Sequence, residues 1–287
     1  MEVIIGKLSG FCPGVQKAVQ EAENLADENK NIYCLGEIVH NKQVVNKLEK
    51  QGVKFIEEIE EVPKNSKLIF RAHGVPKSHY EYVQKNNIQM FDCTCQKVLE
   101  LHQKVEDYKE KYFIFYTGKS NHPETIGTIS FAKDNLAIIE NEIDVFEAVQ
   151  KFKNSKMEKA VLISQTTYSV KRFEKVSELL KNELGEYNLH IDKTICSATD
   201  KRQEETEKLS KIVDSMIIIG GKNSSNSNKL YEIAKANCEN TFFIETKKEL
   251  EINKFENFKK VGIMAGASTP QELINEVEKF LKNREII

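Results

Sequence analysis

Residues 112–124 read YFIFYTGKSNHPE. The first five, Tyr112 to Tyr116, form an unbroken apolar and aromatic run about one strand long, with no alternation that would turn one face to water. A strand of this kind is covered on both sides, as in a parallel sheet flanked by helices. The run ends at once in small, polar and metal-capable residues, TGKSNHPE, whose proline fits the first position of a helix. Ligands bind outside the carboxyl ends of strands in open parallel sheets, so this one stretch predicts both an α/β fold and a functional loop.

The same signature recurs in both directions along the chain. Further short runs rich in Ile, Val and Phe are Glu2 to Ile5, Ile32 to Leu35, Leu68 to Phe70, Leu136 to Ile139, Ala160 to Ile163, Met216 to Ile219, Thr241 to Ile244 and Val261 to Met264. Most are followed directly by a cluster of the same character: GEIVHN (36–41), RAHGVP (71–76), DCTC (92–95), SQTTYS (164–169), TICSAT (194–199), GGKNSSNSN (220–228) and AGASTP (265–270). Between them lie segments of helical period. Val15, Ala18, Val19, Ala22, Leu25 and Ala26 make one apolar stripe, and Thr269, Pro270 and Glu272 read as N-cap, first position and capping box of a last helix carrying Leu273, Val277 and Leu281.

The clusters also repeat in order: a strand-end loop, a second such loop, then a cysteine. Gly36, His73 and Cys95 form one round and Gly118, Thr166 and Cys196 the next; Gly220 and Ser268 begin a third that lacks a downstream cysteine. The amino-terminal strand ending at Cys12 completes it. We therefore expect three similar α/β domains, 14–95, 96–195 and 196–287, the last completed by residues 1–13, each directing one cysteine to a common centre.

Composition narrows the function classes. A formal net charge of -2, with Lys and Glu interleaved over stretches such as Glu204 to Lys211, gives no basic stripe for nucleic acid. No apolar run approaches the ~20 residues that cross a bilayer, and Met1-Glu2-Val3-Ile4-Ile5 has no basic leader, so no membrane association and a cytoplasmic location are expected. In that reducing compartment structural disulfides are improbable for the six cysteines, which leaves metal binding, catalysis or burial. Cys34 and Cys238 sit in or beside apolar patterns and read as buried small hydrophobes. Cys12, Cys95 and Cys196 each stand between a strand run and a helix, where backbone N–H groups and the helix dipole favour a thiolate. Three thiolates from separate loops could bind zinc, although no CxxC pair or obvious fourth ligand is present. An iron-sulfur cubane suits them better, since it normally takes four cysteines and three would leave one iron open to an exogenous oxygen.

Ser224, Ser225, Asn226 and Ser268 supply neutral donors ahead of helices and suit a phosphorylated ligand, although Ser and Asn in such places are also ordinary helix caps. His40, His73 and His122 lie in corresponding strand-end clusters and could bind and partly neutralise a diphosphate, unlike His79, His102 and His190. Glu124, two residues after His122, is a candidate proton donor; its plain alternative is a first-turn glutamate complementing a helix dipole. Neither a Walker A motif nor GxGxxG occurs. A reductase, a zinc-dependent hydrolase and a non-catalytic phospho-ligand binder all remain open on the residues alone.

GFCPGV at Cys12, EIVHN, AHGVP, NHPE, SQTTYSV, TICSAT, KNSSNSN and AGASTP stand together in the order found in one family. By these motifs the chain resembles the 4-hydroxy-3-methylbut-2-enyl diphosphate reductases, the last enzymes of the non-mevalonate isoprenoid pathway. That resemblance implies small parallel sheets in a pseudo-threefold trefoil around a central 4Fe-4S cluster bound by Cys12, Cys95 and Cys196. It implies His40, His73, His122, Ser224, Ser225, Asn226 and Ser268 around a small allylic diphosphate, with Thr166 and Glu124 near its hydroxyl, Glu124 delivering protons. The implied products are isopentenyl and dimethylallyl diphosphate, with electrons from ferredoxin or flavodoxin. One departure concerns the second ligand, where the family usually has Ala-Thr-Cys-Pro and this chain has Cys93-Thr94-Cys95-Gln96. Gln96 gives up the preset first-turn geometry of proline, and Cys93 brings a second thiol to the loop.

Overall fold

The computed structural model describes residues 1–28 and 31–282. Its strands are β1 (Glu2–Ile5), β2 (Ile32–Leu35), β3 (Val53–Ile56), β4 (Lys67–Phe70), β5 (Gln89–Asp92), β6 (Phe113–Thr117), β7 (Leu136–Ile139), β8 (Ala160–Ser164), β9 (Leu189–Ile191), β10 (Ser215–Ile219), β11 (Thr241–Ile244) and β12 (Lys260–Ala265). The α-helices are α1 (Pro13–Glu28), α2 (Lys42–Lys50), α3 (Lys77–Lys85), α4 (Gln96–Tyr108), α5 (Pro123–Ile129), α6 (Val145–Lys153), α7 (Val170–Leu184), α8 (Ser197–Ser210), α9 (Ser225–Asn237) and α10 (Gln271–Lys282). The strands form three small all-parallel sheets of order β1-β12-β10-β11, β3-β2-β4-β5 and β7-β6-β8-β9, the α/β class that the apolar runs predict.

Two compact units are defined by their internal contacts. One comprises Met1–Val19, Val39–Lys47 and Ser197–Ile287, and the other Gln20–Ile38 and Leu48–Cys196. The first unit holds the β1-β12-β10-β11 sheet. Its amino-terminal strand pairs with β12, Val3 opposite Val261 and Ile5 opposite Ile263, so the two ends of the chain share one sheet. Successive residues of β10 go to opposite cores: Ile217 and Ile219 pack with Ile263, Ile274 and Val277, and Met216 and Ile218 with Leu209, Leu230 and Met264. Period-two alternation over an all-apolar strand thus buries both faces, each side chain contributing roughly 1.5–3 kcal/mol.

The second unit contains the other two sheets. In β6 the aromatic run divides in the same way, with Phe113 and Phe115 facing Val149, Phe173 and Val176, and Ile114 and Tyr116 facing Leu101 and Val105 of α4. Around the central β2 and β4, Leu35, Leu68 and Phe70 pack with Val75 and Val83.

Local readings fare unevenly. The α1 stripe is buried at Ala18, Val19, Ala22, Leu25 and Ala26. At α10 the first helical residue is Gln271, and the Thr269 hydroxyl donates to the Ile219 carbonyl at 2.9 Å, tying that turn to the end of β10.

Candidate functional site

Each cysteine expected to bind metal sits one residue before a helix: Cys12 before α1, Cys95 before α4, Cys196 before α8. None of the six cysteines is in a disulfide; Cys12, Cys95 and Cys196 are partly exposed, and Cys34, Cys93 and Cys238 are buried. Cys34 donates to the Gly36 carbonyl at 3.2 Å and Cys238 to the Asp214 carbonyl, and burial, then the neighbouring Cys93, push the Cys34 thiol upward. Those are structural thiols. Within the Cys93-Thr94-Cys95 loop, Cys93 is 7% exposed, which leaves Cys95 as the more available sulfur.

One backbone hydrogen bond occurs three times. The amide of Cys12 donates to the carbonyl of Ala267 at 3.1 Å, that of Cys95 to Ala72 at 3.0 Å, and that of Cys196 to Thr166 at 3.0 Å. Ala267 precedes Ser268, Ala72 precedes His73, and Thr166 is itself a candidate. In every case the cysteine loop is fastened to the polar loop that the sequence marks for substrate. The repeat read from the motif order therefore has a physical counterpart in the backbone.

In the first unit the polar loops meet around His40 and α9. Asn223 lies 3.4 Å from His40 Nδ1, and the Ser268 hydroxyl donates to the His40 carbonyl at 3.1 Å. This closeness requires glycine at 221, since a Cβ there would stand 2.5 Å from the His40 carbonyl oxygen. Ser224 caps α9, its hydroxyl oxygen accepting from the Ser227 amide at 3.2 Å. The capping reading of this loop and the ligand reading therefore both apply, because a capping oxygen keeps its own O–H to donate. Asn226 is 4% exposed, and neither its amide oxygen nor its amide nitrogen has a partner. An unsatisfied buried amide costs about 1–3 kcal/mol and is retained where a ligand completes it. Ser225 opens the same turn.

In the second unit His122 caps α5, its Nδ1 accepting from the Glu124 amide at 3.1 Å, which leaves Nε2 to carry the ring proton. The His73 and His122 rings meet edge to face with centroids 5.6 Å apart. Glu124 is 2% exposed; its Oε1 accepts from the Thr166 amide at 2.6 Å and its Oε2 from the Thr166 hydroxyl at 2.8 Å. Burial pushes its pKa up to about 7, the two bonds from Thr166 pulling the other way. A carboxyl poised there can release or take a proton at neutral pH. Sequence reading missed Tyr116, which is fully buried and close enough to Glu124 that, after burial, the carboxylate is the next cause of its raised pKa.

Lys97, in the turn after Cys95, is raised first by its hydrogen bond to Glu100 and to a smaller extent by the Cys196 and Cys95 thiols. Both sulfurs of the second unit thus lie within electrostatic reach of one ammonium. Among the described residues no three Cys, His, Asp or Glu side chains form a ready group for a lone metal ion. No helix of the described residues is long and apolar enough to cross a membrane.

Parallel sheets whose strand-end loops present thiols, imidazoles, neutral donors and one buried proton-active carboxyl are the arrangement of an α/β enzyme that works at its strand ends. The family profile described as "LytB protein" matches residues 3–282. A protein of Caldanaerobacter subterraneus subsp. tengcongensis, named 4-hydroxy-3-methylbut-2-enyl diphosphate reductase, is 41% identical over 99% of this chain and 97% of its own length. One of the same name from Clostridioides difficile is 40% identical over 99% and 100%. Among solved structures, the E-1-hydroxy-2-methyl-but-2-enyl-4-diphosphate reductase of Plasmodium falciparum superposes with a TM-score of 0.87 at 31% identity, covering 98% of this chain and 87% of that one. Another, the (E)-4-hydroxy-3-methyl-but-2-enyl diphosphate reductase described as the terminal enzyme of the non-mevalonate pathway, gives 0.70 at 37% identity, covering 99% and 100%. The chain belongs to the LytB protein family.

Proposed function

We propose that this chain reduces 4-hydroxy-3-methylbut-2-enyl diphosphate, taking up two electrons and two protons to give isopentenyl or dimethylallyl diphosphate and water. The observation that carries this reading is the thrice-repeated hydrogen bond from a cysteine amide to a polar loop, which ties every candidate sulfur to a candidate substrate contact. Three partly exposed thiols outside any disulfide, each ahead of a helix amino terminus, are a suitable donor set for a 4Fe-4S cluster, and we assign Cys12, Cys95 and Cys196 to it. When bound, such a cluster supplies the electrons singly and offers one iron that no cysteine fills.

The protein's own residues account for the remaining steps. Ser224, Ser225, Asn226 and Ser268 would donate hydrogen bonds to the diphosphate, with Asn226 satisfied only when ligand is present. His40 and His73 would partly offset its charge, and His122, whose Nδ1 accepts from the Glu124 amide, would donate a hydrogen bond to it from Nε2. Thr166 holds both carboxyl oxygens of Glu124, and Glu124 gives its proton to the departing hydroxyl, so that water rather than hydroxide leaves. Delivery of the second proton at either end of the allylic skeleton yields the two products.

We assign the electrons to ferredoxin or flavodoxin, since the chain carries no dinucleotide fingerprint. We further propose a cytoplasmic location, in which the thiols stay reduced, and domain limits of 14–95, 96–195 and 196–287 with 1–13. Anaerobic purification tests the assignment. Brown protein absorbing at roughly 400 nm with about four irons per chain is expected. Colourless protein with about one zinc would point to a hydrolase, and metal-free protein that still binds the diphosphate to a simple binder.

A further inference from the structure

The loop that carries Cys12 is fastened by the helix that follows Cys196. α8 begins at Ser197, the next residue after that cysteine. From its second turn Arg202, 4% exposed, donates through Nε to the Leu8 carbonyl at 2.7 Å and through Nη2 to the Gly10 carbonyl at 2.9 Å. Glu205, three residues on and therefore on the same face, accepts from the Lys7 amide at 2.7 Å on Oε1 and from the Leu8 amide at 2.9 Å on Oε2. Two side chains of one helix thus take up four backbone groups of residues 7–10.

Further bonds of this segment run to β12 and the turn after it: the Gly6 amide to the Ile263 carbonyl at 2.9 Å, the Ala265 amide to the Ser9 hydroxyl at 3.2 Å, and the Cys12 amide to Ala267. Gly10 takes a φ of 95°, a conformation that L side chains rarely adopt, and this turns its carbonyl to Arg202. A planar guanidinium matches two carbonyls at once, whereas an ammonium cannot reproduce the fork. Charge-assisted bonds of this kind are about twice as strong as neutral ones, so the arrangement holds the loop more firmly than a surface turn requires.

We propose that Arg202 and Glu205 are positioning residues for the metal ligand Cys12, locking its loop in register with the helix that Cys196 opens. Neither is assigned a contact with substrate. The inference rests on the reading that Cys12 and Cys196 bind the cluster. Residues that orient a ligand in this way typically change metal retention by roughly 10–100-fold when altered.

The test uses the cluster-loaded full chain under anaerobic conditions and follows iron release to a chelator well below the melting temperature of every variant. Arg202→Lys should release iron at least about tenfold faster than wild type, and Glu205→Gln several-fold faster. Leu209→Ala is the control, because Leu209 lies further along α8, one turn past Glu205, and packs in the core of the sheet with Met216, Ile218 and Leu230; it should melt lower yet release iron at the wild-type rate. Wild-type release rates in both loop variants would overturn the proposal. So would equal acceleration in Leu209→Ala, which would reduce the effect to general loss of stability. Should Arg202→Lys fail to fold, the isosteric Glu205→Gln decides alone. Wild-type protein that takes up no iron would instead refute the assigned function beneath the inference, and that is seen before any variant is compared.

Discussion

Replacing Glu124 by glutamine should separate the stability of the fold from its chemistry in opposite directions. The carboxyl is buried, and its pKa stands at about 7 against an ordinary value of 4.5, with burial as the leading cause. Because the folded value is the higher one, the fold prefers the protonated form. Stability from this group is complete below 4.5 and is lost as pH rises through about 7. Each pKa unit is worth about 1.36 kcal/mol, so the ionised carboxylate costs the wild type about 3 kcal/mol above neutrality. Glutamine imitates the protonated acid: its carbonyl can accept from the Thr166 amide and its NH₂ can donate to the Thr166 hydroxyl, which is donor and acceptor alike. In urea titrations of metal-free protein, Glu124→Gln should match wild type near pH 4.5 and exceed it by about 3 kcal/mol at pH 8. Turnover should vanish while the cluster and substrate affinity persist. A variant no more stable at pH 8 than wild type, or one stabilised equally at all pH values, would refute the reasoning about the buried acid.

Other perturbations follow from the same geometry. Wild-type turnover should decline as pH rises through about 7, where the proton of Glu124 is lost, and Thr166→Val, which removes a bond that lowers this pKa, should move the inflection upward in a pH–rate profile. Asn226→Ala deletes an amide with no partner of its own, so the substrate-free protein should be as stable as wild type or more so in thermal melts, while the diphosphate binds roughly tenfold more weakly by calorimetry. Cys93→Ala should leave the iron content unchanged, because that sulfur is buried, whereas Cys95→Ala should lose most of the iron on metal analysis.

The fold was legible where strands are central. β2, β4, β6, β8, β10 and β12 are interior strands, and continuous apolar sequence marked each within a residue or two. β3, β5 and β9 went unread. All three are edge strands carrying polar residues such as Lys54, Gln89 and His190, and half-exposed strands of three or four residues do not stand out from loops by pattern alone. The candidate site was legible because thiols, imidazoles and serines gather at strand ends, and sheet topology collects strand ends. Its supports were not. Arg202 and Glu205 look like members of an ordinary charged helix, since nothing in linear sequence tells that they bond to residues 7–10. Long-range bonds from helix side chains to a distant backbone leave no local pattern.

The claim beneath the whole account is that three cysteine sulfurs bind one cubane and leave one iron to the substrate. Mössbauer spectroscopy of isotope-enriched protein, recorded before and after adding the allylic diphosphate, examines it directly. We expect about four irons per chain, one of them distinct from the other three and altered by the diphosphate. Four equivalent irons indifferent to substrate, or iron retained undiminished when Cys12, Cys95 or Cys196 is replaced by alanine, would contradict it.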